Sequence, residues 1–367
     1  MEIYSIRTLK CQPLRLCLSV CGLGLCIVLM LFLLATYSGV KNGSMEYVNM
    51  NRTDLWVLQK NATNILRCTS VLFPQHGGAI KNTPGVHTAS PVLLILATID
   101  NDNGGATVYL AGYDPATGKG GPPAIAEGRL IESDHEIILD RSFARKYGYR
   151  VGGSLTVQGD TLDIVGISTG TNAFVIQYAF VTIKKAQSLV NFPVATFYMT
   201  DVAEGHDKSE VASTLKQALP SVEVYDHETF VENNVRELQV GFLPFIYSIA
   251  SIGVIVLVVI LSLLLSINIL ERRKDFAIMK TMGSPGRFLC RLIVEQSLLL
   301  AAAATAVALI LFFPLVELVA MVSPDVTVEP SLNQTAAVII MVGVVGLLSA
   351  FISMQRLRNI YPLEAFS

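Results

Sequence analysis

The chain has 367 residues, of which 52% are hydrophobic and only 15% charged, where an ordinary soluble domain carries about 25% charged residues. A net charge of −2 gives no global basic field and argues against a nucleic-acid partner. The mean hydropathy of +0.53 arises from segregation, with apolar runs at both ends of the chain and a polar block between them.

Crossing ~30 Å of hydrocarbon takes about 20 apolar residues. The first such run is Leu16 to Tyr37, behind a basic start with Arg7, Lys10 and Arg15. It is longer than the apolar region of a secretory signal peptide. A lipoprotein cleavage site at Cys21 is disfavoured, because Val20 is too large just before it and the run continues beyond. Residues 1–37 are therefore a short tail and a first span.

Residues 38–228 have the grammar of strands and turns. Gly77-Gly78, Pro84-Gly85, Gly104-Gly105, Gly120-Gly121 and Gly152-Gly153 punctuate it. Apolar runs at 92–98, 106–113, 136–139, 154–157, 161–167 and 179–183 predict strands. Residues 140–147, 184–190 and 209–219 predict short helices. The expectation is an α+β domain of two lobes. Cys68 is the single cysteine in it, so no disulfide forms within the domain.

Residues 229–270 predict one long helix that is first a stalk and then the second span. Thr229 and Glu232 fit a capping box, and Val231, Val235 and Leu238 share a helical face. At ~1.5 Å per residue the segment is about 60 Å long, too long for one crossing, with Pro244 as a candidate kink.

The loop 271–287 follows, then a third span at 288–318, a connection at 319–333, a fourth span at 334–354 and a tail at 355–367. The loop predicts a short helix that Gly283 stops, with Ser284 and Pro285 opening the next helix. Lys and Arg concentrate in this loop, before the first span and after the fourth (Arg356, Arg358), while 319–333 has neither. By the positive-inside rule both termini and the 271–287 loop are cytoplasmic, and 38–228 is outside. A basic membrane anchor would explain Arg272, Arg273 and Lys280. It would not explain Phe276, Ile278, Met279 and Met282, which read as exposed apolar contacts for a partner, methionine being well suited to such surfaces.

No constellation points to catalysis or to a metal. Gly112 to Gly120 imitates a P-loop, but five residues separate Gly112 from Gly118, and Gly120 stands where Ser or Thr must hold Mg²⁺. The five histidines show no metal-ligand spacing. Asp134-His135-Glu136 reads as a charged turn. The stretch Asp100 to Gly104 lacks the terminal Glu of a Ca²⁺ loop.

The run Glu271-Arg272-Arg273-Lys274-Asp275-Phe276-Ala277-Ile278-Met279-Lys280-Thr281-Met282-Gly283 resembles the junction between the second and third spans of MacB/FtsX-type ABC transporter permeases. Asp275 replaces the usual Glu and Thr281 the usual Ala. The tail Arg356 to Ala365, with Pro362 and Glu364, resembles that family's ending. Ile138 to Gly148 followed by Val151 to Leu155 resembles its strand, helix and turn pattern, with Gly153 for the usual Asp. The variant looks like the DevC/LolC-like half-permeases that lack a fused ATPase.

The resemblance implies a membrane protein of four transmembrane α-helices, with a large α+β extracytoplasmic domain inserted between helices 1 and 2. It implies a non-catalytic permease subunit in the bacterial inner membrane, a homodimer in contact with membrane lipids. ATP and Mg²⁺ would belong to a separate ABC ATPase, and no cofactor to this chain. Arg272, Arg273, Phe276, Ile278, Met279, Lys280, Met282 and Gly283 would dock that ATPase, and Val231, Val235 and Leu238 would belong to a stalk that transmits its motion. Exported cargo in the family is a lipid, lipoprotein, peptide, haem or drug-like molecule, with a periplasmic adaptor as a further partner. The alternative is an FtsX-like regulator of an extracytoplasmic cell-wall hydrolase.

Overall fold

The computed structural model describes residues 13–65, 68–100, 105–171, 176–271, 273–282, 284–322 and 328–358. The Asp100 to Gly104 stretch and the tail beyond Arg358 fall largely outside them. Two compact units emerge. One takes the described residues up to Ser38, then Pro244–Met321 and those from Val328 on, and the other takes Gly39–Leu243 with Val322.

The first unit is helical. Its helices belong to α1 (Pro13–Met50), α6 (His227–Glu271), α7 (Arg273–Thr281), α8 (Gly286–Val322) and α9 (Leu332–Arg358). All but α7 are long and apolar enough to cross a membrane. In hydrocarbon every backbone N–H and C=O must be paired within the protein, which a helix achieves by itself. Leu23, Ile27 and Leu31 of α1 fall at i, i+4 and i+8 and are buried with Leu257, Leu261 and Leu265 of α6. Ala304 and Ala308 of α8 and Val338, Val342 and Val345 of α9 complete that core.

Small residues bring these helices close. A Cβ on Gly24 would lie 3.4 Å from Ala304 O and 3.6 Å from Val307 Cγ1, so Gly24 faces α8 of its own chain. Serine hydroxyls donate across the helices: Ser297 to Gly346 O at 2.6 Å, Ser353 to Ser262 O at 3.1 Å and Ser349 to Val258 O at 3.3 Å. The α6 segment is the least covered, with Phe245, Ile249, Ile252, Ile255 and Val259 exposed.

The helices overrun the bounds read from sequence. α1 does not stop at Tyr37 but continues to Met50, and α6 passes through Pro244 without interruption. Pro244 removes one backbone donor, and the Pro244 carbonyl accepts a bond from Ser248 Oγ at 2.7 Å.

The second unit is an α+β domain. Its strands are β1 (Leu55–Gln59), β2 (Val86–Asp100), β3 (Ala106–Tyr113), β4 (Ala124–Gly128), β5 (Glu136–Asp140), β6 (Ser154–Val157), β7 (Asp160–Thr169), β8 (Tyr178–Thr182), β9 (Phe197–Val202) and β10 (Val222–Asp226). They run in the order β10-β1-β9-β2-β3-β8-β5-β7-β4, with β6 beside β2 and β7. β2 joins the two ends of this one path, its first half pairing with β9 and its second half with β3.

Four short helices cover the sheet: α2 (Pro74–Lys81), α3 (Arg141–Tyr147), α4 (Ile183–Val190) and α5 (Lys208–Ala218). Asp140 caps α3 by accepting from Ser142 N at 2.7 Å, and Thr182 caps α4 by accepting from Lys185 N at 3.2 Å. Gly148 closes α3 at φ 74°, a left-handed position that glycine takes without penalty. Helix α2 and strands β1, β4, β9 and β10 were missed by the sequence pattern. They are short, and the Gly77-Gly78 pair that reads as a turn lies inside α2.

Candidate functional site

The loop helix α7 is nine residues long. Phe276 is only 3% exposed and packs among Ile269 of α6, Leu289, Leu292 and Ile293 of α8 and Ala350 of α9, with Met279 half-buried beside it. This corrects the expectation that all four apolar residues of the loop face outward. Positions 276 and 279 are i, i+3 neighbours on one helix face, and that face folds back on the chain's own helices. Ile278 and Met282 do face outward, at 46% and 73% exposure. Arg273 and Lys280 are carried on α7, and Arg272 and Gly283 lie outside the described residues.

The turn after α7 is held by backbone bonds. Met282 N donates to Ile278 O at 3.0 Å and Ser284 N to Met279 O at 3.0 Å. Phe288 N donates to Pro285 O at 2.8 Å. Helix α8 starts at Gly286, so Pro285 stands just before it rather than as its first residue.

The second element is the root of α6. Asp226, not Thr229, caps the helix. Thr229 N donates to Asp226 Oδ1 and Thr229 Oγ1 to Oδ2, each at 2.8 Å. These bonds hold the Asp226 carboxyl below the usual carboxylate range, the backbone N–H first. The buried face is Phe230, Asn234 and Leu238, an i, i+4, i+8 series. Phe230 stacks on Trp56 with centroids 4.5 Å apart. Asn234 accepts from Ile65 N at 3.0 Å and donates to Phe230 O at 2.7 Å. Leu238 packs on Val40 and Met45 of α1 with Val235 beside it, and Val231 is a half-buried flank near Phe230.

The sequence reading put the stalk face on Val231, Val235 and Leu238, of which Leu238 is buried and the other two are half-buried flanks. It passed over Phe230 and Asn234 because a polar residue interrupts the apolar series. The spacing 230, 234, 238 is the signal that could have found them.

The C-terminal end of α1 has a matching root. Tyr47 and Val48 are fully buried in the same cluster as Trp56 and Phe230. The Tyr47 hydroxyl donates to Gly120 O at 2.8 Å, and its ring stacks on Tyr178 at 4.6 Å. Both helices that frame the inserted domain are thus rooted in one aromatic core. At its edge Trp56 Nε1–H donates to His227 Nδ1 at 3.3 Å. Burial lowers the His227 pKa, with the nearby Arg52 charge acting in the same direction, which keeps that ring nitrogen free to accept.

A family model described as FtsX-like permease C-terminal matches residues 247–362. One described as MacB-like periplasmic core domain matches residues 16–218, more than half of the chain. The chain belongs to the MacB/FtsX-type ABC transporter permeases.

An uncharacterised ABC transporter permease of Mycobacterium tuberculosis is 24% identical over 371 residues, covering 100% of this permease and 99% of the relative. Another, of Mycobacterium bovis, is 24% identical over 368 residues with the same coverage. Among solved structures, the periplasmic region of MacB from Actinobacillus actinomycetemcomitans aligns with 49% of this permease and 91% of its own chain at 10% identity and a TM-score of 0.40.

The motifs set aside for catalysis have structural partners in the permease. Lys119, in the P-loop-like run, donates to Asp201 Oδ1 at 2.9 Å and to Arg52 O at 3.1 Å. Thr182 Oγ1 donates to Asp134. Arg129 pairs with Glu136 at 2.6 Å and draws its carboxyl pKa down to about 2. Among the described residues no group of three His, Cys, Asp or Glu could hold a metal ion.

Proposed function

We propose that the permease lies in a bacterial cytoplasmic membrane with both termini and the 271–287 loop in the cytosol, and that two copies pair to serve a separate ABC ATPase. ATP and Mg²⁺ belong to that ATPase. Helix α7 is its docking element, and α6 carries the ATP-driven movement to the inserted domain, which moves a lipid, lipoprotein, peptide, haem or drug-like substrate. The chain itself catalyses nothing.

The observation that carries this reading is the divided character of α7. Phe276 ties the helix to α6, α8 and α9, while Ile278 and Met282 stand exposed beyond it. A helix that is held on one face and apolar on another can pass a push from a partner to the bundle. Arg272, Arg273 and Lys280 supply steering charge, which sets encounter rates more than affinity. At the other end, the burial of Phe230 and Asn234 makes the α6 root a firm attachment.

Co-expression with the ATPase and a pull-down tests the docking. Apolar anchors at an interface cost about 2 kcal/mol or more when lost. Ile278→Asp with Met282→Asp is expected to reduce the retained ATPase by more than about tenfold, and Lys280→Ala to leave it nearly unchanged. Retention of the ATPase at the unmodified level by the double variant would show that α7 is a membrane anchor only.

A further inference from the structure

Helix α1 carries two thiols side by side near its start. Cys17 and Cys21 are both exposed, and their sulfurs lie 4.0 Å apart. Residues i and i+4 share one face of a helix. Val20 and Leu23 are buried in the helical core, whereas Leu18 and Leu25 are exposed on the same side as the thiols. Free cysteine is usually a buried residue that packs as a small hydrophobe. Burial does not account for this pair, and a thiol is only a weak hydrogen-bond donor and acceptor.

The spacing suits a shared metal ion. A thiolate–metal bond is about 2.3 Å long, so sulfurs 4.0 Å apart close on one ion at an angle of about 120°. That is the angle of a three-coordinate centre with one position open. Thiolates select soft ions, namely Cu(I), Zn²⁺ and the iron of iron–sulfur clusters. Structural Zn²⁺ takes four protein ligands, and the clusters take four cysteines. Among the described residues no group of three His, Cys, Asp or Glu could supply such a set. Cu(I) is satisfied by two or three sulfurs.

We infer that Cys17 and Cys21 chelate one Cu(I) ion, with the open position available to a small thiol from solution. Each cysteine releases its proton to water as its sulfur–copper bond forms, and copper keeps its oxidation state. The two thiolates leave the centre with one net negative charge. Cys17 opens the span, so this charge lies at the membrane surface, where it is cheaper than at mid-bilayer. The orientation proposed above places the pair in the reducing cytosol, where thiols stay free.

The test uses the full chain in lipid nanodiscs, under anaerobic reducing conditions, with Cu(I) alone as the probe. The assay has neither an ATPase nor two compartments, so failure of the docking or orientation reading would not show in it. Titration against bathocuproine disulfonate, a coloured Cu(I) chelator, is expected to give one ion per chain. Cys17→Ser with Cys21→Ser should weaken binding at least tenfold, and a chain with the other four cysteines replaced by Ser should keep it. Copper X-ray absorption should show two or three sulfur neighbours.

Both positions are exposed, so Ser should leave the fold intact, which size-exclusion elution checks. In the unmodified chain, Cu(I) should protect Cys17 and Cys21 from alkylation by a maleimide, read by mass spectrometry, and this needs no variant. Copper held as tightly by the double variant would be adventitious and would overturn the inference. So would unprotected thiols at saturating copper, one ion per two chains with four sulfur neighbours, or displacement of Cu(I) by equimolar Zn²⁺.

Discussion

The loop helix α7 and the root of α6 are both short helical stretches with four or five apolar residues, yet they are held in opposite ways. At the root, Phe230 is fully buried against Trp56, and Asn234 is fully buried with hydrogen bonds to both sides. In α7, Phe276 is the one buried side chain among the described residues and Met279 is half-buried, while Ile278, and Met282 just after the helix, face outward. The root spends its apolar surface within the chain, and α7 leaves part of its surface unspent. An element that must transmit force gains from the first arrangement, and one that must meet a partner gains from the second.

The largest effect is expected at the root. Truncation of a buried aromatic typically costs 3–5 kcal/mol, so Phe230→Ala should lower the stability of the inserted domain by about that amount. Chemical denaturation followed by Trp56 emission reads it directly, since Trp56 is the only tryptophan in the chain. A loss under about 1 kcal/mol would mean that the root is not a firm attachment and would erase the contrast with α7.

A smaller effect is expected at α7. Phe276→Ala should cost on the order of 2 kcal/mol, because a nine-residue helix can shift to fill part of the space. Hydrogen exchange over 273–281 should accelerate, whereas Met282→Ala should leave it unchanged. Equal exchange in the two variants would show that α7 is not held by one face.

The smallest effect concerns the edge of the root. The His227 pKa is lowered, so the neutral ring is the form that the fold favours. Its contribution to stability is complete above the ordinary histidine value of about 6.5 and is lost as the pH falls from there toward the depressed value. Trp56 emission should therefore stay constant from pH 8 to about 6.5 and change only below, as the Nδ1 acceptor is protonated. In His227→Ala that change should vanish. A transition that survives the substitution would assign the titration elsewhere.

Much of the architecture was legible in the chain itself. Four apolar runs long enough to span hydrocarbon can hardly be anything else, since only helices or closed barrels satisfy backbone groups there. The strands at 106–113 and 154–157 coincide with β3 and β6, where turns flank short apolar runs. The loop helix was located by its position between two spans and by its resemblance to the family.

Tertiary structure decided the rest. Periodicity shows that a helix face is apolar but not what covers it. It took α8 and α9 to place Phe276 inward while Met282 stayed outside. Asn234 holds its buried place because Ile65 N, 169 positions away, supplies a partner for its side chain. The sequence marks only 92–98 of β2 as a strand, and its first half is held by β9, more than 100 positions away, before β3 takes over. Local composition determined which segments are helix, strand and membrane span, because backbone satisfaction and burial act within each segment. The contacts that distinguish the buried root of α6 from the outward face of α7 come from segments distant in sequence, and only folding brings those together.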